Sequence, residues 1–207
     1  MSRGILAVVS GFSGAGKGTV MKRLLEKYDD YALSISVTTR QPREGEKDGK
    51  DYFFRTREQF EKLIEEDALL EYARYVDNYY GTPRAYVEEQ LFAGKNVILE
   101  IETQGAMKIK EKMPSAFLVF VTPPSMEELE GRLRSRCTEP EEVIQDRLKA
   151  AGRESKLMSE YDYILINDVV EECVDRLHGI FLSEHCRAQR NEEFICEIQK
   201  ESETFNK

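Results

Sequence analysis

The sequence predicts an α/β domain, a parallel sheet covered by helices on both faces. Two observations carry that expectation. Short apolar runs alternate with amphipathic helical stretches, which is how strands buried on both faces read. The first run, residues 5 to 9, also leads straight into Gly-Phe-Ser-Gly-Ala-Gly-Lys-Gly-Thr at residues 11 to 19 and then into a helical pattern. At 207 residues the chain fits one domain with a sizeable core.

Each element follows from local pattern. Val20, Met21, Leu24 and Leu25 recur at a helical period within residues 18 to 28. Residues 31 to 37 read as a strand running into a polar loop at 38 to 50. A short strand at 52 to 54 precedes a helix over 56 to 68, with Phe60, Leu63 and Ile64 on one face. Residues 69 to 76 read as extended. Thr82-Pro83 resembles a helix opening, a cap followed by proline in the first turn, and that helix should stop near Gly94. Residues 96 to 101 and 116 to 121 are buried strands, the second ended by Pro123-Pro124. Charged helices over 125 to 134 and 139 to 156 flank a break at Cys137-Thr138. The last strand is 163 to 166, a long helix starts near Val169, and residues 200 to 207 read as a frayed end.

Composition narrows the function. With 41% hydrophobic and 33% charged residues the chain is a folded, soluble type. No apolar stretch has the length of a membrane span and no signal segment opens the chain, so no membrane partner is expected. Cys137, Cys173, Cys186 and Cys196 are scattered without a C-x-x-C, which suits a reduced, cytoplasmic protein. His178 and His185 show no metal-ligand spacing. A net charge of −9 argues against a nucleic-acid partner. Arginines nevertheless concentrate at Arg40 and Arg43, and again at Arg132, Arg134, Arg136 and Arg147. Local arginine in an acidic chain points to a small anionic ligand.

The glycine loop names that anion. In a strand–turn–helix context, Gly11, Phe12, Ser13, Gly14, Ala15, Gly16, Lys17, Gly18 and Thr19 form a phosphate-binding loop. Glycines let several backbone N–H groups converge, and Lys17 adds a mobile charge that can follow terminal phosphates. The pattern G-x-x-x-x-G-K-[ST] is met except that Gly18 stands where a hydroxyl belongs. Thr19 is therefore only a candidate metal contact.

The segment Ser-Ile-Ser-Val-Thr-Thr-Arg-Gln-Pro-Arg-Glu-Gly-Glu from Ser34, followed by Gly49-Lys50-Asp51-Tyr52-Phe53-Phe54, resembles guanylate kinases. Further matches are Tyr79-Tyr80-Gly81-Thr82, the Glu-Ile-Glu-Thr-Gln-Gly run from Glu100, Arg136-Cys137-Thr138-Glu139, Arg147-Leu148 and Ile166-Asn167-Asp168. The resemblance covers nearly the whole chain. It implies a P-loop kinase core over residues 1–33, 96–124 and 157–200, a small mixed α+β GMP-binding subdomain over 34–95, and a helical lid over 125–156.

It also implies transfer of the γ-phosphoryl of ATP to GMP or dGMP, with Mg²⁺ accompanying ATP. Bringing two anions together needs charge neutralisation, which suits Lys17 and Arg43, and the resemblance adds Arg136 and Arg147 on the lid to the catalytic expectation. Arg40 and Arg43 suit the acceptor phosphate, because guanidinium forks match phosphate oxygens two at a time. The resemblance adds Ser36, Tyr52 and Tyr80 to that phosphate. Guanine presents N1–H and N2–H₂ side by side, which a carboxylate can accept together. The resemblance places Glu71 there, with Thr82 near O6 and Glu102 assisting. Arg132 would face ATP, with Asn167 and Asp168 near its adenine or ribose. Arg134 reads as a solvated helix residue. Glu100 points toward hydrated Mg²⁺, so the metal contact is a choice between Thr19 and a water-mediated Glu100. Other readings are a phosphopeptide-binding module, opposed by the intact loop, and a kinase for another monophosphate, opposed by Glu71. Monomer and homodimer both stay open.

Overall fold

In the computed structural model, which describes residues 3–75, 77–135 and 140–206, the first apolar run becomes β1 (Leu6–Gly11). The glycine loop follows, then α1 (Lys17–Lys27) and β2 (Tyr31–Leu33). Next come β3 (Val37–Thr38), β4 (Phe53–Phe54), α2 (Arg57–Glu65), β5 (Leu69–Tyr75), β6 (Asn78–Pro83) and α3 (Arg84–Phe92). The chain returns through β7 (Asn96–Glu100), α4 (Thr103–Lys112) and β8 (Phe117–Thr122) to two charged helices, α5 (Met126–Ser135) and α6 (Glu141–Glu154). A 3-10 turn (Ser155–Glu160) leads to β9 (Tyr163–Ile166), α7 (Val170–His185) and α8 (Glu192–Glu203).

The main sheet runs β2-β7-β1-β8-β9 and every pairing in it is parallel. Strand order reverses around β1, so its C-terminal end is the topological switch point where open α/β sheets bind ligands. The glycine loop occupies that end. Val8, Val9, Ile98, Leu99 and Phe120 are wholly buried, as strands covered on both faces require. Phe120 meets Phe12 of the loop edge-on at 4.9 Å, so the loop is anchored in the core.

A second, mixed sheet runs β4-β3-β6-β5, with β3 and β4 parallel and the other pairs antiparallel. Val37, Phe60 and Leu69 form its own small core. α2 opens with a capping box between Thr56 and Gln59, which satisfies two orphan donors at its start.

Three local expectations change and one helix is added. The single strand over 31 to 37 is divided between the two sheets, with residues 34 to 36 crossing from one to the other. Thr82 caps nothing: it lies in β6, Pro83 is the residue before α3, and no side chain caps that helix. Residues 103 to 112 form α4, which buries Thr103, Ala106 and Ile109 at helical spacing. The end is not frayed, because α8 reaches Glu203 and a 3-10 turn follows to Asn206. Asn191 Nδ2 donates to the His185 and Arg187 carbonyls at its start. Glu192 and Glu193 in the first turn and Lys200 in the last complement the helix dipole.

Arg134 is exposed on α5, as the solvated reading expects. Its guanidinium pairs with Glu130 on α5 and with Glu141 on α6, joining the two helices. Hydrogen bonds from Arg134, then Gln145, hold the Glu141 carboxyl down at about 2. The expected break at Cys137-Thr138 and the adjoining Arg136 lie outside the described residues.

The base of α7 is fixed by a buried charge. Glu184 is 0% exposed. It accepts from the Tyr163 hydroxyl at 2.6 Å and from Arg190 at 2.7 Å. Burial alone would raise its carboxyl, but Tyr163 and Arg190, then the charges of Arg190 and Arg187, bring it below the usual range. It therefore contributes stability above the ordinary carboxylate range that is lost as pH falls through the lowered folded value. Glu184→Ala should cost about 2 kcal/mol in urea denaturation, less than a fully enclosed pair because the freed arginines can reach water. A change within error would mark the cluster as neutral.

Candidate functional site

The phosphate loop has the geometry its glycines demand. Gly11 has φ 149°, and a Cβ there would lie 2.0 Å from the Val121 carbonyl oxygen. Gly16 has φ 88°, and its Cβ would lie 2.5 Å from Asn167 Nδ2. That amide donates to the Ala15 carbonyl at 2.7 Å, so the last strand's end clamps the loop from behind. Lys17 Nζ donates to the Gly11 and Phe12 carbonyls at 2.6 and 3.1 Å, arching over the loop. Arg147 of α6 reaches across to donate to the Ser13 hydroxyl. Gly18 has nothing within 4 Å of a built Cβ, so no packing contact excludes a larger residue there.

Gly16→Ala should weaken the loop in two ways. A side chain at positive φ costs about 1–2 kcal/mol, and the Asn167 clamp must shift to make room. The expected result is an ATP KM raised roughly tenfold, with Tm lowered by a few degrees. Unchanged kinetics would show that the clamp is not needed for nucleotide binding.

Two cavities open on either side of the loop. The larger, about 720 Å³, falls in the range of small-molecule sites. It gathers Gly11, Ser13 and Lys17 with Ser36, Tyr52 and Tyr80 of the second sheet, and with Glu71, Glu100 and Glu102. The smaller, about 250 Å³, is lined by Gly14, Gly16, Thr19, Arg132, Asn167 and Asp168. Asn167 Oδ1 is buried without a partner among the described residues. Thr19 and Glu100 thus line different cavities, and no cluster of three metal-ligating side chains occurs among the described residues.

Glu71 owes its position to an irregularity in the second sheet. The register of β5 on β6 shifts between the pairs Leu69↔Pro83 and Tyr72↔Gly81, so Leu70 and Glu71 together oppose Thr82. Such a bulge re-aims side chains. Leu70 enters the main core and Glu71 turns toward the large cavity, 8% exposed. Thr82 Oγ1 donates to Glu71 Oε1 at 2.7 Å. Gly105, in the first turn of α4, lies beside the pair: a Cβ there would meet Ile101 Cδ1 at 3.2 Å and Glu71 Oε2 at 3.4 Å, the latter an ordinary contact. Burial pushes the Glu71 carboxyl up, with the Thr82 hydrogen bond opposing. Burial likewise pushes up Glu100 at the cavity mouth, opposed by Lys17.

Arginines are placed unevenly. Arg40 forms a two-point bridge to Glu46, both contacts at 2.9 Å, and lies 5.2 Å above the Tyr52 ring. Glu46 also accepts from the Arg43 backbone N–H at 2.7 Å, which closes the loop. The Arg43 side chain is exposed, with no ion pair among the described residues. Arg132 is held by Glu128 one turn earlier at 2.8 Å.

Several lining residues carry only a weak mark in the sequence. Glu154 lies seven residues after Arg147, on the same side of α6, and that spacing could have revealed it. Burial raises its carboxyl and Lys17 opposes the rise. Arg74, Gln104 and Lys108 also line the large cavity, the last two from α4.

A parallel sheet whose switch point carries a lysine-bearing glycine loop, with a cavity on each side, defines a P-loop nucleoside-phosphate-binding protein. The guanylate kinase family model matches residues 3–184. Guanylate kinase of Caldanaerobacter subterraneus subsp. tengcongensis is 51% identical over 200 residues, covering 97% of each chain. That of Lactococcus lactis is 53% identical over 188 residues, covering 91% of this chain and 92% of its own. The crystal structure of guanylate kinase from Anaplasma phagocytophilum superposes with a TM-score of 0.71 at 37% identity, covering 91% of this chain and 90% of that one. The chain belongs to the guanylate kinase family.

Proposed function

We propose that this protein transfers the γ-phosphoryl of ATP to GMP or dGMP, giving ADP and GDP or dGDP, as a step in purine nucleotide metabolism. The observation that carries the reading is the pair of cavities meeting at one phosphate loop, with a buried carboxylate in the larger. ATP takes the smaller cavity with its base near Asn167 and Asp168, its phosphates on the loop N–H groups and Lys17, and Arg132 alongside. GMP takes the larger, its base on Glu71.

The acceptor phosphate sits among Ser36, Tyr52, Tyr80, Arg40 and Arg43. Arg40 is preset by Glu46 and stacked on Tyr52, so its orientation costs little on binding. Thr82 has one hydroxyl proton, which holds Glu71 in place. Donation from Thr82 to guanine O6 therefore requires that proton to turn, and Glu102 assists at the same edge.

Transfer is direct. The acceptor phosphate is already ionised, so no side chain need act as a nucleophile and no strong general base is required. Lys17, Arg43, Arg136 and Arg147 spread the transition-state charge. Residues 34–95 form the acceptor side, residues 125–156 the lid, and residues 1–33, 96–124 and 157–200 the core. Arg147, on the lid and bonded to Ser13, brings lid closure to the loop itself, which excludes water. Mg²⁺ arrives with ATP and needs few protein ligands, since phosphates and water fill most of its shell. Glu100 beside Lys17 is the residue placed to reach that shell, and Thr19 serves the other side. The exposed thiols of Cys186 and Cys196 suit a reducing cytoplasm.

A coupled assay with ATP-Mg²⁺ and separate GMP, dGMP, AMP, UMP and CMP acceptors tests the reading. GMP and dGMP turn over and the others do not. Preference for AMP would overturn the base assignment, and no turnover at all would leave a binding module.

A further inference from the structure

Glu71 sits in surroundings that disfavour the charge its role requires. Burial raises its carboxyl first, and Glu102 adds to the rise; Thr82, Lys108 and Lys112 oppose it. The two lysines are not equivalent. Lys112 is engaged by Asp67 at 3.2 Å and by the Leu69 carbonyl at 3.3 Å. Lys108, one turn earlier on α4, makes no ion pair among the described residues. Its Nζ donates to the Tyr72 carbonyl at 3.1 Å and lies 5.9 Å from the centre of the Tyr72 ring. Tyr72 directly follows Glu71, so this ammonium is tethered to the bulged strand itself, on the wall of the same cavity.

Resting on the reading of Glu71 as the guanine acceptor, we propose that Lys108 is a specificity-determining residue whose tethered charge keeps Glu71 a carboxylate, able to accept from guanine N1–H and N2–H₂ together. A neutral Glu71 would present one carbonyl acceptor and an O–H that faces two donors. Inosine monophosphate has the N1–H and lacks the amino group, so protonation of Glu71 harms GMP more than the inosine nucleotide. The other charged groups facing this cavity are Glu102 beside α4, Arg74 on β5, Lys17, Glu100 and Glu154, while Lys112 acts on Glu71 from outside the cavity lining; a change at Lys108 leaves all of them in place.

The test is the ratio of kcat/KM for GMP to that for inosine monophosphate between about pH 5.5 and about pH 8. Both acceptors carry the same phosphate, so its own titration cancels. In Lys108→Met the ratio should fall roughly three- to tenfold below wild type at the acid end and recover toward the alkaline end. Lys108→Arg should restore it, and the KM for ATP should not move. Lys108 is exposed, so both variants fold, which a melting curve checks. A wild-type ratio at every pH, or a loss independent of pH and equal for both acceptors, would overturn the inference. Glu71→Gln in the same series separates the two readings. If it collapses the ratio while Lys108→Met does not, Lys108 alone is wrong. If it leaves the ratio intact, the Glu71 reading fails and the inference falls with it.

Discussion

Glu71→Gln should lower kcat/KM for GMP by about 10²–10³-fold while leaving the KM for ATP within about twofold. The carboxylate offers guanine two charge-assisted acceptors, each worth roughly 1.5–3 kcal/mol. The amide keeps one acceptor and turns an NH₂ group toward guanine's own donors, so one hydrogen bond is lost and a repulsion is added. The amide oxygen can still take the Thr82 proton, and the bulge backbone is untouched, so the fold should survive. Steady-state kinetics with each nucleotide varied in turn decide the matter. Equal losses for both substrates would mean that Glu71 supports the fold rather than the base.

Lys17→Met should lower kcat by about 10²–10³-fold, the loss expected when one preorganised cation is removed from developing phosphoryl charge. Methionine keeps the stem and deletes the ammonium. In the structure that ammonium bonds the Gly11 and Phe12 carbonyls, groups it must release to follow a phosphate. Losing those bonds should change stability by only about 1 kcal/mol. Isothermal titration with ATP beside single-turnover transfer separates binding from chemistry. Wild-type single-turnover rates would remove Lys17 from the reaction.

Legibility differed from residue to residue. The main sheet was readable because its strands are apolar on both faces, a signal each run carries alone. Glu71 was reached through resemblance, since a single glutamate in an extended stretch has no local mark. What aims it is a register shift on β6, and register is a property of two strands. Thr82 shows the converse. A threonine before proline looks like a cap, yet its hydroxyl serves a carboxylate from the neighbouring strand. Arg40 and Arg43 were visible as a pair, but the Glu46 that holds them could not be singled out among neighbouring acids. Arg134 is solvated, as its charged helix suggests, but its bridge to Glu141 on another helix has no local mark. Thr19 and Glu100 both suited a metal by residue type, and only the fold puts the loop between them.

By itself the sequence determined that this protein grips phosphate. Nine contiguous residues with a strand before and a helix after contain all the backbone freedom and the charge that the grip needs. The tertiary structure alone decided which distant side chains share each cavity, how Glu71 is aimed, and that Lys108 stands beside it. Those outcomes depend on strand register, on the packing of α4 against β5 and on burial. Each arises only between segments, where local pattern carries no information.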